Sequence, residues 1–203
     1  FERQPDIDAI DAFLCLQYVP SPLTGFLGVR NLPAGSRVVC EGGRVGEPER
    51  YFRHRFDQTR SGSLAELTAE LHTQIEDAVR VRMVSDVPLG AFLSGGLDSS
   101  LIVAMMARHS SGPVKTFSVG FTSKDFSELP FAHMVAERYV TDHHEIVVEP
   151  DMSSVIPQLV RHYGEPLAEI SGLQTWYLCE YTGTGVTVEL RGYGGDEAFS
   201  GYR

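Results

Sequence analysis

The chain has 203 residues, 42% of them apolar, and a formal net charge of −10 at pH 7. So acidic a protein would repel the phosphates of a nucleic acid, and no apolar run is long enough to span a bilayer. Its three cysteines, Cys15, Cys40 and Cys179, are widely spaced and form no CxxC pair. This usage argues against a disulfide framework or a zinc site and favours the cytoplasm.

Residues 1–60 are predicted to form a small α+β appendage, because short apolar runs alternate there with prolines and glycines. Apolar residues recur at helical spacing over Ile7–Tyr18, and Asp6 is placed to cap that helix. A turn leads into a predicted strand at Ser36–Cys40. We therefore assign residues 1–60 to a connecting segment and residues 61–203 to the main domain.

The main domain alternates helices and strands. Ser63 and Glu66 have the spacing of a capping box, and a helix with one apolar face follows them. The remaining pattern predicts strands at 87–93, 115–120, 144–148 and 186–190, and helices at 101–108, 128–139, from about 155, and at 171–181. The helix near Val155 is expected to begin there, with Pro157 in its first turn. This order predicts an α/β fold in which a parallel sheet carries helices on both faces.

Sheets of this kind bind their ligands at the carboxyl ends of the strands. Segments 94–100, 119–121 and 191–197 all follow or close a predicted strand. We expect these three segments to meet at one edge of the sheet and to form the site.

The first of these segments has the composition of an anion-binding loop. Gly95 and Gly96 allow the backbone to approach a phosphate, and the free N–H groups of the following helix point at the anion. Further hydroxyl donors are available from Ser94, Ser99 and Ser100. No lysine is present, so this is not the loop of ordinary nucleoside triphosphatases, and Asp98 suggests a magnesium ion.

Segment Asp86–Ser100 contains the pattern SGGxDS and resembles the pyrophosphate loop of ATP pyrophosphatases, which cleave ATP between its α and β phosphates. In full it resembles the synthetase domain of glutamine-hydrolysing asparagine synthetases. Tyr18–Pro20 and Leu32–Gly35 are similar to the segment that joins the two domains of that family. The resemblance implies an adenine-nucleotide alpha-hydrolase-like fold, and identifies the chain as the N-terminal part of the synthetase domain without the glutaminase domain.

The resemblance also implies roles for individual residues. In the family, the aspartates that match Asp98 and Asp196 hold magnesium on the β and γ phosphates, so the expected cofactors are ATP and Mg²⁺. The residues expected to bind ATP or pyrophosphate are Leu93, Ser94, Gly95, Gly96, Asp98, Ser99, Ser100, Val119, Gly120, Gly192 and Gly194.

Simpler interpretations exist for several of these residues. Asp98 and Asp196 both follow glycines, where an aspartate commonly caps a helix. Leu93 and Val119 are equally suited to an ordinary strand core. The pair His143-His144 does not suggest a metal site, because adjacent residues of a strand point to opposite faces.

The second glycine-rich segment departs from the family pattern at two positions. Arg191 stands where the family usually has a small serine beside the AMP phosphate, and Tyr193 replaces an acid thought to manage protons during amide formation. Tyr193 therefore removes a candidate general base, and Arg191 either binds phosphate or fills the pocket. We assign no catalytic residue.

The expected reaction is ATP-dependent amide formation through an acyl-adenylate, converting aspartate and ammonia to asparagine, AMP and pyrophosphate. Ammonia would come from a glutaminase domain in the full-length protein, and a homodimer is compatible with the resemblance. Two alternatives stay open: a relative that makes another amide, such as a β-lactam synthetase or peptide cyclase, and a nucleotide-binding module without turnover. We expect these 203 residues alone to be inactive as a synthetase.

Overall fold

The computed structural model of the chain describes residues 2–55, 57, 59–122, 127–149, 151–164, 168, 171–183, 185–199 and 201. The chain folds as two units, and the first combines Phe1–Ser61 with Met152–Gly172. The second unit combines Gly62–Asp151 with Leu173–Arg203 and contains all three predicted site segments. None of the helices in these described residues is long and apolar enough to cross a bilayer.

The first unit begins with helix α1, Ile7–Leu16. The Asp6 side chain caps it by accepting hydrogen bonds from the N–H groups of Asp8 and Ala9, as the sequence predicts. The helix ends because Gln17 takes a left-handed conformation, with φ of 67°. Two antiparallel pairs of short strands follow: β1 (Ser36–Arg37) with β4 (Glu49–Arg50), and β2 (Cys40–Glu41) with β3 (Arg44–Val45).

Helix α5 corrects one sequence-based expectation. It spans Met152–Tyr163, so Pro157 lies in its second turn and not in its first. The start near Val155 was wrong because the burial of an anchoring side chain outweighs what Pro157 costs the helix, namely the hydrogen bond of its own nitrogen and a clash with the carbonyl four residues earlier. Val155, 3% exposed, supplies the anchor.

The second unit is an alternating α/β domain. Its first helix, α2, begins at a complete capping box, because the Ser63 hydroxyl accepts from the Glu66 N–H while the Glu66 carboxylate accepts from the Ser63 N–H. The elements are α2 (Leu64–Arg82), β5 (Leu89–Phe92), α3 (Leu97–His109), β6 (Lys115–Phe121), α4 (Leu129–Tyr139), β7 (Asp142–Val148), α6 (Ser171–Thr182), β8 (Val188–Leu190) and α7 (Gly195–Phe199).

The four longer strands form one sheet in the order β7-β6-β5-β8, and every neighbouring pair is parallel. The chain moves outward from β5 to β6 and β7 and then returns to the other side of β5, where Ala91 pairs with Leu190. The strand order therefore reverses between β5 and β8. In open sheets of this kind, a crevice forms at that reversal and receives the ligand.

Apolar clusters on both faces of the sheet confirm the predicted arrangement of helices. Ala91 and Leu93 point to one face, where helices α2, α3 and α4 cover them. Phe92 points to the opposite face and packs with Phe117 and with Leu178 of α6. The alternation follows from the two-residue period of a strand.

Candidate functional site

The site is built where β5 passes into α3. Leu93, 1% exposed, donates its N–H to the Phe117 carbonyl at 2.9 Å, and its own carbonyl accepts the hydroxyl of Ser118. These two bonds to β6 fix the residue that precedes the first glycine loop. The loop therefore starts from a rigid part of the sheet.

Serine side chains hold the first loop in shape. The Oγ atoms of Ser94 and Ser99 are 2.9 Å apart, and Ser94 Oγ accepts the Gly96 N–H at 3.2 Å. Ser100 Oγ donates to the Gly96 carbonyl at 2.6 Å, and Ser99 Oγ lies 3.2 Å from that same oxygen. The three hydroxyls thus organise the loop itself, and their predicted role as phosphate donors stays a prediction.

The backbone at the end of the loop leaves the first donors of α3 available. Gly95 has a φ of +79°, and a Cβ there would stand 2.5 Å from the Ala132 nitrogen of α4, so only glycine fits this close approach. Gly96 is the N-cap of α3 and gives it no side-chain hydrogen bond. The first N–H groups of α3 have no intrahelical partner, so this end of the helix can bind an anion.

The second glycine loop, which follows β8, packs directly on the first. A Cβ on Gly192 would stand 2.7 Å from Asp98 Cβ and 3.2 Å from the Ser99 nitrogen. A Cβ on Gly195 would overlap the Asp98 carboxylate. The carboxylate of Asp98 therefore lies against the residue that precedes Asp196.

Asp196 occupies the first turn of α7, as Asp98 does in α3, so both also fit the favourable position of an acid near a helix N-terminus. Asp98 is not the N-cap of α3, because Gly96 occupies that position. The described residues contain no group of three or more acidic, histidine or cysteine side chains able to hold a metal. Magnesium commonly uses one or two carboxylates together with phosphate oxygens and water, so two aspartates suffice in number, and the role of Asp98 and Asp196 as magnesium ligands stays a prediction.

A pocket of about 200 Å³ opens at these strand ends. Six of the predicted site residues line it: Leu93, Ser94, Asp98, Ser99, Val119 and Gly192. The other predicted residues lie outside its lining: Gly95, Gly96, Ser100, Gly120, Gly194 and Asp196. Gly120 is buried behind Leu129, so it supports the wall instead of facing the pocket.

Sequence reasoning missed the side of the pocket that α6 provides. Gln174, Thr175 and Leu178 line it from this helix, and Glu128 does so from the start of α4. The 174, 175 and 178 positions share a helical face, which is the one signal in the sequence. That spacing does not reveal which strand ends the helix faces.

Arg191 lies between the pocket wall and the second loop. Its guanidinium carbon is 5.0 Å from the centre of the Phe92 ring and 4.0 Å from that of Tyr193. One N–H donates to Thr175 Oγ1 at 3.1 Å. Among the described residues no carboxylate lies within 4.0 Å of this guanidinium, so none of these residues neutralises its charge in an ion pair.

Cys179 follows the pocket residues on α6. Partial burial raises the pKa of its thiol, Glu189 adds to that increase, and Arg191 opposes it. A raised pKa keeps the thiol protonated near neutral pH, and a thiol is a poor nucleophile. Cys179 is therefore not an activated nucleophile.

Comparison with known proteins shows the family of the chain. The sequence model described as asparagine synthase matches residues 70–203, from α2 through both glycine loops. The chain belongs to the asparagine synthase family. Its members are enzymes, so the expectation of an asparagine-synthetase-type enzyme is confirmed at the level of the family.

Two relatives of this family illustrate the extent of the similarity. A putative glutamine-hydrolysing asparagine synthetase 2 of Methanocaldococcus jannaschii is 34% identical over 96% of this chain, and the match covers 38% of that protein. Glutamine-hydrolysing asparagine synthetase 1 of Bacillus subtilis is 34% identical over 97% of this chain and 31% of its own length. The chain thus spans about a third of the length of these relatives.

A solved structure is also similar in backbone. The glutamine-dependent NAD⁺ synthetase of Acinetobacter baumannii, in complex with ADP, aligns with a TM-score of 0.47 and 19% identity, over 78% of this chain and 34% of that one.

Proposed function

We propose that this chain binds ATP at the crevice between β5 and β8 and uses it to activate a carboxylate for amide formation. The observation that carries the proposal is the contact between the two glycine loops, which brings the Asp98 carboxylate against Gly195 beside the uncapped start of α3. Membership of the asparagine synthase family supports the same reaction class.

The two ends of the pocket suit the two ends of ATP. Val119 and Leu178, which pack on the same face of the sheet, offer an apolar wall of the kind that receives a flat purine, whereas the Leu93 side chain is buried on the opposite face. The other end of the pocket is lined by Ser94, Asp98 and Ser99. The first N–H groups of α3 would face the pyrophosphate tail there. The nucleotide would therefore lie along the strand ends, with its tail on the first glycine loop.

The proposed reaction has two steps. A carboxylate oxygen of the substrate attacks the α phosphorus, the bond from that phosphorus to the β-phosphate oxygen breaks, and pyrophosphate leaves. Ammonia then attacks the acyl carbon of the adenylate, loses a proton to solvent or a base, and displaces AMP. The N–H groups at the start of α3 would stabilise the negative charge that accumulates on the leaving pyrophosphate.

Asp98 and Asp196 are the residues that would hold magnesium, which supplies positive charge at the β and γ phosphates. Their positions on facing loops support this assignment, since the carboxylate of one lies against the residue beside the other. Gly192 and Gly195 would hold the two loops close enough for both to bind the same phosphate chain.

Aspartate is the proposed acceptor, and ammonia from glutamine is the proposed nitrogen source in the full-length protein. Both follow from the names of the relatives, which are glutamine-hydrolysing asparagine synthetases. Tyr193 stands where the family has an acid, so we propose no side chain as the base for the amidation step.

Exchange of labelled pyrophosphate into ATP tests the proposal in the intact protein. We expect aspartate-dependent exchange, and we expect Asp98→Asn to reduce it at least a hundredfold, because the carboxylate lies beside the leaving pyrophosphate. Asp11→Asn, which changes an exposed aspartate of α1 outside the site segments, is the matched control and should keep wild-type exchange.

Three results would contradict the proposal in different ways. Exchange that depends on another carboxylate but not on aspartate would support the relative that makes a different amide. ATP binding with no exchange for any carboxylate would support the module without turnover. Full exchange in Asp98→Asn would refute the assignment of the pyrophosphate site itself.

A further inference from the structure

The charge of Arg191 has no partner within the described residues, although the residue borders the pocket. Its guanidinium contacts the Phe92 and Tyr193 rings, and a single N–H is used, by Thr175 Oγ1 at 3.1 Å. A guanidinium has five N–H donors in one plane. Within the part of the chain that the structure describes, the donors not used by Thr175 remain available to an anionic ligand.

Three contacts hold this guanidinium in place before any ligand arrives. Phe92 approaches it from β5, Tyr193 from the second loop and Thr175 from α6. Aromatic rings stabilise a cation while displacing water from its faces. An arginine that is already oriented and partly desolvated loses little conformational entropy when it binds.

The location of Arg191 specifies which part of the nucleotide it meets. It is the first residue after β8, and its guanidinium lies over Phe92, which packs with Leu178 of the apolar wall. It also borders Gly192, which packs on Asp98 at the pyrophosphate end. In ATP, the α-phosphate is the group that joins adenosine to the pyrophosphate tail.

We propose that Arg191 binds the α-phosphate of the nucleotide and is a specificity-determining residue of this site. The inference rests on the proposed function, since it requires adenosine on the wall formed by Val119 and Leu178. A guanidinium there would donate to two non-bridging oxygens of one phosphate. It would hold the α-phosphate for attack and retain AMP after pyrophosphate has left.

Calorimetric titration of the intact protein with AMP, adenosine and inorganic pyrophosphate tests this assignment, because only AMP carries the α-phosphate on adenosine. In Arg191→Ala we expect AMP affinity to fall at least tenfold, as for the loss of a hydrogen bond to a charged group. Adenosine and pyrophosphate affinities should change less than about twofold. Arg138→Ala, which removes an exposed arginine from the end of α4, is the matched control and should bind AMP like wild type.

Two conservative variants separate a binding role from a structural one. Arg191→Lys keeps the charge but loses the planar donor pair, so its AMP affinity should lie between those of wild type and Arg191→Ala. Thr175→Val removes the contact that orients the guanidinium and should weaken AMP binding by a smaller factor, with adenosine binding intact. A melting temperature within a few degrees of wild type confirms that these variants are folded.

The outcomes distinguish this inference from the proposed function. Wild-type AMP affinity in Arg191→Ala would overturn the inference while leaving the nucleotide site standing. A raised KM for aspartate in Arg191→Ala, with unchanged AMP affinity, would also overturn it, because the cation would then bind the carboxylate substrate. Absence of ATP and AMP binding in the wild-type protein would overturn both.

Discussion

Gly192 and Gly195 decide how closely the two loops of the site approach each other. At Gly192 a Cβ would stand 2.7 Å from Asp98 Cβ and 3.0 Å from the Asp98 carbonyl carbon. Contacts this short must be relieved by moving backbone, since neither atom belongs to the end of a flexible side chain. Gly192 is therefore required by space, whereas a Cβ at Gly195 would meet the carboxylate end of the Asp98 side chain, which can move.

Gly192→Ala should separate the loops and disable the site. We expect a loss of about 1–3 kcal/mol in the free energy of unfolding, as for other overpacked contacts, and pyrophosphate exchange reduced by at least tenfold. Urea unfolding and the exchange assay provide the two measurements. Gly112→Ala is the control, because a Cβ there meets nothing within 4 Å, and unchanged exchange in Gly192→Ala would show that the loops need not touch.

At the scale of the elements, His143 links its own strand, β7, to the neighbouring strand β6 and to helix α4. Its Nδ1 lies 2.8 Å from Thr116 Oγ1 of β6, its Nε2 lies 3.0 Å from Glu145 Oε1, and its ring approaches His133 of α4. Its neighbour His144 instead stacks on Phe117 at the opposite face. The two histidines therefore cannot share one ion, as the strand pattern predicts.

This junction should make stability depend on pH. Burial lowers the pKa of His143 below 6.5, although the hydrogen bond to Glu145 opposes the shift and the neighbouring His133 and His144 add to it slightly. The unfolded chain therefore takes up this proton at a higher pH than the folded chain does. Stability is complete above about pH 7 and is lost as the pH falls through 6.5 towards the folded-state pKa.

We expect His143→Gln to lose less stability than wild type between pH 8 and pH 5. Urea unfolding followed by the fluorescence of Trp176, which lies in the same unit, measures that difference. His72→Gln, which removes an exposed histidine of α2, is the control. A pH dependence equal in His143→Gln and wild type would show that this side chain does not carry the effect.

The elements themselves follow closely from the sequence, and the exceptions have physical causes. The parallel sheet and the capping box at Ser63 depend on local patterns, so they are predictable. The start of α5 is not, because Val155 anchors the helix and outweighs the cost of Pro157 in the second turn. The role of Thr175 could not be predicted from the sequence either. It depends on a hydrogen bond from Arg191, which belongs to a different element of the fold.

At the scale of the whole molecule, the charge of the chain bears on the ligand. A protein of net charge −10 repels the triphosphate of ATP, and Asp98 adds to that repulsion at short range.

The family assignment and both glycine loops could be predicted from the sequence. The orientation of Arg191 could not, since the sequence allowed it either to bind phosphate or to fill the pocket.

Removal of divalent cations should therefore weaken ATP binding more than adenosine binding. We expect at least a tenfold loss of ATP affinity in EDTA compared with magnesium, and no change for adenosine, when both are measured by calorimetry. Asp98→Asn should reduce the difference between the two conditions. Equal ATP affinity in EDTA and magnesium would show that the loops bind the tail without a metal.

The pairing of β5 with β8 has a consequence for how the protein is made. Ala91 and Leu190 are neighbours in the sheet, although roughly a hundred residues separate them along the chain, and contacts of such long range form late in folding. A ribosome would release the whole of β6, α4 and β7 before the second loop could reach the first. The ability to bind a nucleotide would then report that synthesis of this domain has passed β8.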